Sequence, residues 1–205
     1  MKTLIALVSL TVVAFAQSRQ HPITYTVADT QSRPPITYTT GPHQAVTIKN
    51  VTSNPIIAVY VDVVGKDVET IYRHDFFTKD MQFDPKTTLP IDVDPTSDPD
   101  AQQLTVTIVW CQFADGSEWG DHEKAKIILD QRAETLNALD QLMAADDTTF
   151  TTIVNKLSEG KKSSPTTVMA EMLKQRILSN GVSGARSDVA DRIKNVVARR
   201  AVGNF

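Results

Sequence analysis

The sequence predicts an α+β fold in which a β-rich first part gives way to an α-helical region, and three observations predict it. Nine of the ten prolines (22, 34, 35, 42, 55, 85, 90, 95, 99) precede Trp119, and only Pro165 follows. Ten aromatic residues lie between Tyr25 and Trp119, against Phe150 and Phe205 beyond it. Apolar residues recur at a spacing of two before Trp119 and of three to four after Lys124, the periods of strand and helix. Charge divides at the same place. Residues 17–122 carry 7 Lys and Arg against 14 Asp and Glu, net −7, and residues 123–205 carry 13 against 10, net +3. The expected organisation is a removable segment over 1–16, a sandwich over 17–122, and a helical region over 123–205 packed on or beside it.

The removable segment reads as an export signal. In MKTLIALVSLTVVAFAQS, Lys2 supplies the positive start, Leu4 to Phe15 the apolar stretch, and Ala14-Phe15-Ala16 the small-x-small cleavage pattern. The stretch is shorter than the roughly 20 residues a membrane-spanning helix needs, and no later segment is long and apolar enough. The mature chain is therefore expected to start at Gln17, to lack a transmembrane segment, and to be periplasmic or extracellular. No Cys adjoins the cleavage site, which argues against a lipid anchor. Cys111 is the single cysteine, so an internal disulfide is impossible and the core must hold the exported chain together. Asn50-Val51-Thr52 fits a glycosylation acceptor but reads better as a turn after a strand.

The strands follow in order. PITYT occurs twice, at 22–26 and 35–39, which reads as two similar edge strands or as one tail that pairs once. Pro beside each copy fits a sheet edge, where a missing N–H does no harm. QAVTIKNV alternates, TSNP turns, and IIAVYVDVV follows as a mostly buried strand; KTTLPIDVD and QQLTVTIVWCQF supply two more. In the last, strict alternation puts Leu104, Val106, Ile108 and Trp110 on one face and Val109, Cys111 and Phe113 on the other. This many strands in about 100 residues suits an immunoglobulin-like antiparallel β-sandwich, although the Cys…Trp…Cys signature is absent.

Four helical stripes follow. Ala125, Ile128, Leu129, Leu136, Leu139 and Met143 form the first, and Phe150, Ile153, Val154 and Leu157 the second. Ser164-Pro165 opens a third helix, buried through Val168, Met169, Met172 and Leu173 and ended by Asn180-Gly181. A last helix is expected from near Ser187, with Val189, Ile193, Val196 and Val197 apolar and Arg199-Arg200 at its C-terminal end.

CQFADGSEWGD, residues 111–121, can be read as a calcium loop, a catalytic loop or a hairpin corner. Counting from Asp115, the sixth residue is Gly120 as an EF-hand needs, but the twelfth is Lys126, a cation where a bidentate carboxylate must sit. The acidic run Asp92, Asp94, Asp98 and Asp100 fails likewise, with Ser97 and Gln103 at those positions. Asp-Gly after an alternating strand is a strong hairpin signal, with Trp119 returning to cover the sheet and Asp121 capping the helix that follows. The corner is the better reading.

Other chemistry was sought on the same terms. His122-Glu123 starts like a helical zinc-protease motif, but the second His it requires is replaced by Lys126. His74, Asp75 and His122 are scattered, and Cys111 sits mid-strand in apolar company, the setting of an inert thiol. Arg199-Arg200 is too small a patch for a nucleic-acid footprint, and Met169 and Met172 read as core. No catalytic, cofactor-binding or metal-ligating residue is assigned; no cofactor, metal or nucleic acid is expected.

VTIKNVTSNPIIAVYVDV, FADGSEWGD and AKIILDQRAETLNALDQL together resemble a loose group of uncharacterised exported bacterial proteins that join a β-sandwich to a helical tail. The resemblance spans about residues 45–145 and implies export and architecture, with no activity. The expected function is that of an exported non-catalytic interaction or envelope-structural protein whose partner is another envelope or extracellular protein. A hydrolase-type enzyme with a dispersed Asp/Glu/His site, and a small-ligand carrier with a pocket between sheet and helices, stand as alternatives.

Overall fold

A computed structural model describes residues 24–27, 34–40, 46–64, 69–91 and 103–203. The expected export signal and the acidic run from Asp92 to Asp100 lie outside them. Among the described residues, strands β1 (Thr24–Val27), β2 (Ile36–Thr40), β3 (Val46–Asn50), β4 (Ile56–Val64), β5 (Glu69–Asp75), β6 (Thr88–Ile91), β7 (Gln103–Phe113) and β8 (Glu118–Gly120) precede α1 (His122–Ala144), α2 (Asp147–Ser158) and α3 (Pro165–Val202). This is the mixed α+β order that the change of period predicts.

The strands form two sheets. The larger runs β1-β7-β4-β5, with β8 also paired to β7, and the smaller runs β2-β3-β6. Every pair is antiparallel except β1 with β7, which is parallel. The two PITYT copies separate: the first feeds β1 at one edge of the larger sheet, the second feeds β2 at an edge of the smaller. One short sequence thus serves two sheet edges, because each copy needs only one hydrogen-bonding partner.

Ile36, Val46, Ile48, Val59, Val61, Val63, Ile91, Val106, Ile108 and Cys111 meet between the sheets in one buried core, with Phe76 and Phe83 closing its end. Asn50 ends β3 inside it. Its fully buried side chain donates from Nδ2 to the carbonyls of Asn54 (2.8 Å) and Phe83 (2.9 Å), so the amide is a structural hub rather than an exposed acceptor for sugar.

Strict alternation in β7 is not what the chain does. Tyr60 pairs with Trp110 but Val61 pairs with Ile108, leaving Val109 as a bulge. The bulge turns Trp110 and Val109 together toward Ala58, Tyr60, Ala125 and Ile128, while Cys111 joins Val106 and Ile108 in the inter-sheet core. Trp110 and Cys111 therefore exchange the faces that period-two counting assigns them. The extra residue gives α1 a large buried aromatic to pack on.

Residues 113–117 turn the corner as the Asp-Gly pair predicts. Gly116 takes φ 86° and donates to the Phe113 carbonyl at 3.0 Å, and Ser117 donates its N–H and hydroxyl to Asp115. Gly116 supplies the positive φ; Asp115 does not share it. Asp121 then caps α1 by accepting from the Lys124 N–H at 3.1 Å.

The helices build their own core from Leu139, Leu142, Phe150, Val154, Met169, Leu173, Ala185 and Val189. Four stripe positions differ from expectation. Leu142 is buried where Met143 is exposed, and Val168, Met172 and Val197 are 49%, 57% and 61% exposed. Gly181 (φ 73°, ψ 176°) breaks α3 where Asn180-Gly181 predicts an end, and the helix resumes at once rather than near Ser187. Its last turns return to the sheets. Val196 is buried with Ile57 and Phe77, and Arg199 donates from Nη2 to the carbonyls of Lys79 (3.1 Å) and Met81 (2.7 Å), a docking role beyond ending a helix.

Candidate functional site

A groove of about 220 Å³ opens where β5, α1 and α3 meet. β5 supplies Arg73, His74 and Asp75; the turn after it supplies Thr78 and Lys79; α1 supplies Arg132; α3 supplies Val168, Met172 and Arg192. The helices contribute the larger share of the wall.

One ion pair organises it. Asp75 accepts from Arg132 Nε at 2.9 Å and Nη2 at 3.0 Å, and also from the Phe77 N–H at 3.0 Å. The guanidinium lies 4.4 Å from the centre of the Phe77 ring, and its Nη1 donates to Gln112 Oε1 at 2.7 Å. Gln112 passes the chain to Glu118 (3.1 Å), which accepts from Trp110 Nε1 (3.1 Å) and pairs with His122 Nδ1 (2.7 Å). A polar line thus runs beneath α1 from its first turn to the groove, and it satisfies groups that burial would otherwise penalise.

Among the described residues Asp75 is the one carboxylate lining the groove, and Arg132 takes it. Arg73, Lys79 and Arg192 form no ion pair among the described residues. Arg73 lies 5.0 Å from the Tyr60 ring centre, reaches the Tyr60 hydroxyl at only 3.5 Å, and leaves its buried Nε without a partner. Burial and then the neighbouring Arg192 hold the Lys79 ammonium below the ordinary lysine range, against the pull of Asp75. Burial likewise lowers Arg192, with Asp188 opposing. Val168 and Met172 form an exposed apolar lip beside these cations.

Of the titratable residues singled out in the sequence, His74 and Asp75 both line the groove, while His122 and Cys111 lie elsewhere. Burial, then Lys79, lowers the His74 imidazole to about 4, with Asp75 opposing. His74 shares a 3.1 Å hydrogen bond with the Tyr72 hydroxyl and stacks against Tyr72 and Phe76. His122 lines a separate hollow with Glu123 and Asp121, and its hydrogen bond to Glu118 raises it. Burial, with Glu118 nearby, pushes the Cys111 thiol up to about 12. Among the described residues no three His, Cys, Asp or Glu side chains stand close enough to hold a metal ion, and no helix is long and apolar enough to cross a membrane.

Sequence reasoning missed Arg73, Lys79, Arg132, Arg192, Val168 and Met172. A signal existed for Arg132, which falls on the apolar stripe of α1 four residues after Ile128. A cation there needs a buried acid. No family model, curated protein or solved structure matches this chain.

Proposed function

We propose that the chain is an exported, non-catalytic interaction module, an immunoglobulin-like sandwich over 17–122 braced by a helical region over 123–205. The observation that carries this reading is the groove between β5, α1 and α3, where unpaired cations adjoin an exposed apolar lip. Guanidinium and ammonium groups attract anions and donate hydrogen bonds to them. That favours holding a partner over transforming a substrate.

The hydrolase alternative needs an imidazole working with a carboxylate. In the groove His74 is engaged by Tyr72 and Asp75 by Arg132, and the imidazole–carboxylate pair that does form, His122 with Glu118 at 2.7 Å, stands outside the groove with His122 exposed at the start of α1. As for the carrier alternative, small-molecule pockets span roughly 300–1,000 Å³ and are mostly apolar; the groove offers about 220 Å³, and the hollow of about 470 Å³ at the start of α1 is lined chiefly by the polar residues Thr107, Asp121, His122, Glu123 and Lys124.

The partner is another envelope or extracellular protein. Affinity capture from the envelope of the exporting cell, with wild type and with Lys79→Glu/Arg192→Glu, tests this. A protein retained by the wild type and lost with the variant is expected; identical captures from both contradict the reading. N-terminal sequencing of exported material tests the export proposal, with Gln17 expected and Met1 contrary to it.

A further inference from the structure

We infer that the groove receives an extended acidic segment of a partner polypeptide, one carboxylate seated among Arg73, Lys79 and Arg192 and an adjacent apolar side chain against Met172 and Val168. This rests on the interaction-module reading above and gives the partner its chemistry.

Charge comes first. Among the described residues four cationic side chains and one carboxylate line the groove, and the carboxylate is already bound at two points by Arg132. Holding Lys79 and Arg192 close enough to repel, while partly removing both from water, is unfavourable unless an anion arrives. The buried Arg73 Nε, without an acceptor, adds an unfilled donor at the same place.

The apolar lip restricts which anion. Val168 and Met172 lie one helical turn apart on α3, both about half exposed, and face the groove with the cations. A bare inorganic anion would leave them in water. An acidic residue with an apolar neighbour covers both, and methionine adapts to varied side chains.

The groove's position favours polypeptide over a free amphiphile. Arg73, His74 and Asp75 are the last residues of β5, the outer strand of the larger sheet, whose one strand partner among the described residues is β4. An extended chain leaving the groove runs beside β5, whose second edge pairs with no described strand, a setting for strand addition.

The test uses mature full-length protein and a labelled peptide alternating Glu and Val, with fluorescence anisotropy as the readout. Saturable binding that weakens with added salt is expected. Lys79→Gln/Arg192→Gln should weaken it about tenfold or more, while melting no lower than wild type because the repelling pair is gone. Met172→Lys, at an exposed position, should weaken it without altering the melt. The inference is overturned if the Glu peptide does not bind, if a Lys-for-Glu peptide binds as well, or if either variant binds as wild type does. Displacement of the peptide by equimolar octanoate or inorganic phosphate would also overturn it, marking a small-anion site. Failure of the peptide with groove-dependent envelope capture intact defeats this inference alone. Loss of groove dependence in the capture defeats the module reading, whatever the peptide does.

Discussion

Arg132, on the inner face of α1, grips Asp75 at the end of β5 through two hydrogen bonds of 2.9 and 3.0 Å, and so ties the helical layer to the sandwich. The contact is small beside the apolar packing of Trp110 and Tyr60 against Ile128, and of Ile57 and Phe77 against Val196. What it supplies is registry, because a guanidinium 8% exposed accepts few arrangements. The strand-rich and helical parts meet here in an ion pair, while Lys79 and Arg192 meet as like charges.

Breaking that pair from one side should be costly. Asp75→Ala leaves Arg132 buried without its acid and is expected to lose about 3 kcal/mol, read as a lower urea midpoint at unchanged slope. Asp75→Ala/Arg132→Met should recover part of that loss. Additive losses in the double variant would show that the two residues act separately.

Gly120 and Gly181 both have positive φ, yet the consequences of adding a methyl differ. A Cβ at Gly120 (φ 102°) would stand 2.2 Å from the Val109 carbonyl oxygen and 2.8 Å from the Trp110 Cα, whereas at Gly181 nothing lies within 4 Å. Gly120→Ala should cost about 2–4 kcal/mol, and Gly181→Ala about 1 kcal/mol from backbone strain alone. Thermal melts order the two, and a reversed order contradicts the bulge geometry.

His74 should make stability depend on acid. Its native pKa lies near 4 and its ordinary value is 6.5, so between those pH values the unfolded chain holds more protons than the native one. Stability contributed by the neutral imidazole is then fully present above about pH 6.5, declines as pH falls toward 4, and changes no further below that. Urea midpoints at successive pH values should fall more steeply for wild type than for His74→Gln. Parallel profiles would remove His74 from the account.

Cys111 should resist thiol reagents in the native state. It is fully buried and its thiol is pushed up to about 12, so modification requires opening of the sandwich. The expected rate follows urea-driven unfolding. Rapid stoichiometric labelling in native buffer would contradict the placement of β7.

Much of the fold was legible because it rests on local signals. Pro165, Asp121 and Gly116 mark boundaries through backbone constraints that act within a few residues. The bulge at Val109 was not legible, since it serves α1 packing and an alternating strand carries no sign of it. Val168 and Met172 were assigned to the core because a helix with apolar residues at 168, 169, 172 and 173 does not declare which pair faces inward; Met169 and Leu173 do. The groove was least legible. Its cations come from three well-separated stretches of sequence, at 73 and 79, at 132 and at 192, and tertiary packing, apolar contacts together with the Arg132–Asp75 pair, brings them together.

The groove exists only if sandwich and helices form one cooperative unit, and a single equilibrium denaturation read by two probes tests that most directly. Of the two tryptophans Trp119 packs on the inter-sheet core and Trp110 between β7 and α1, while the far-UV helix signal reports chiefly on α1, α2 and α3. The account predicts superimposed urea transitions with one midpoint and one slope. Loss of the tryptophan signal at a urea concentration where the helix signal persists, or the reverse, would show two independent domains and contradict it.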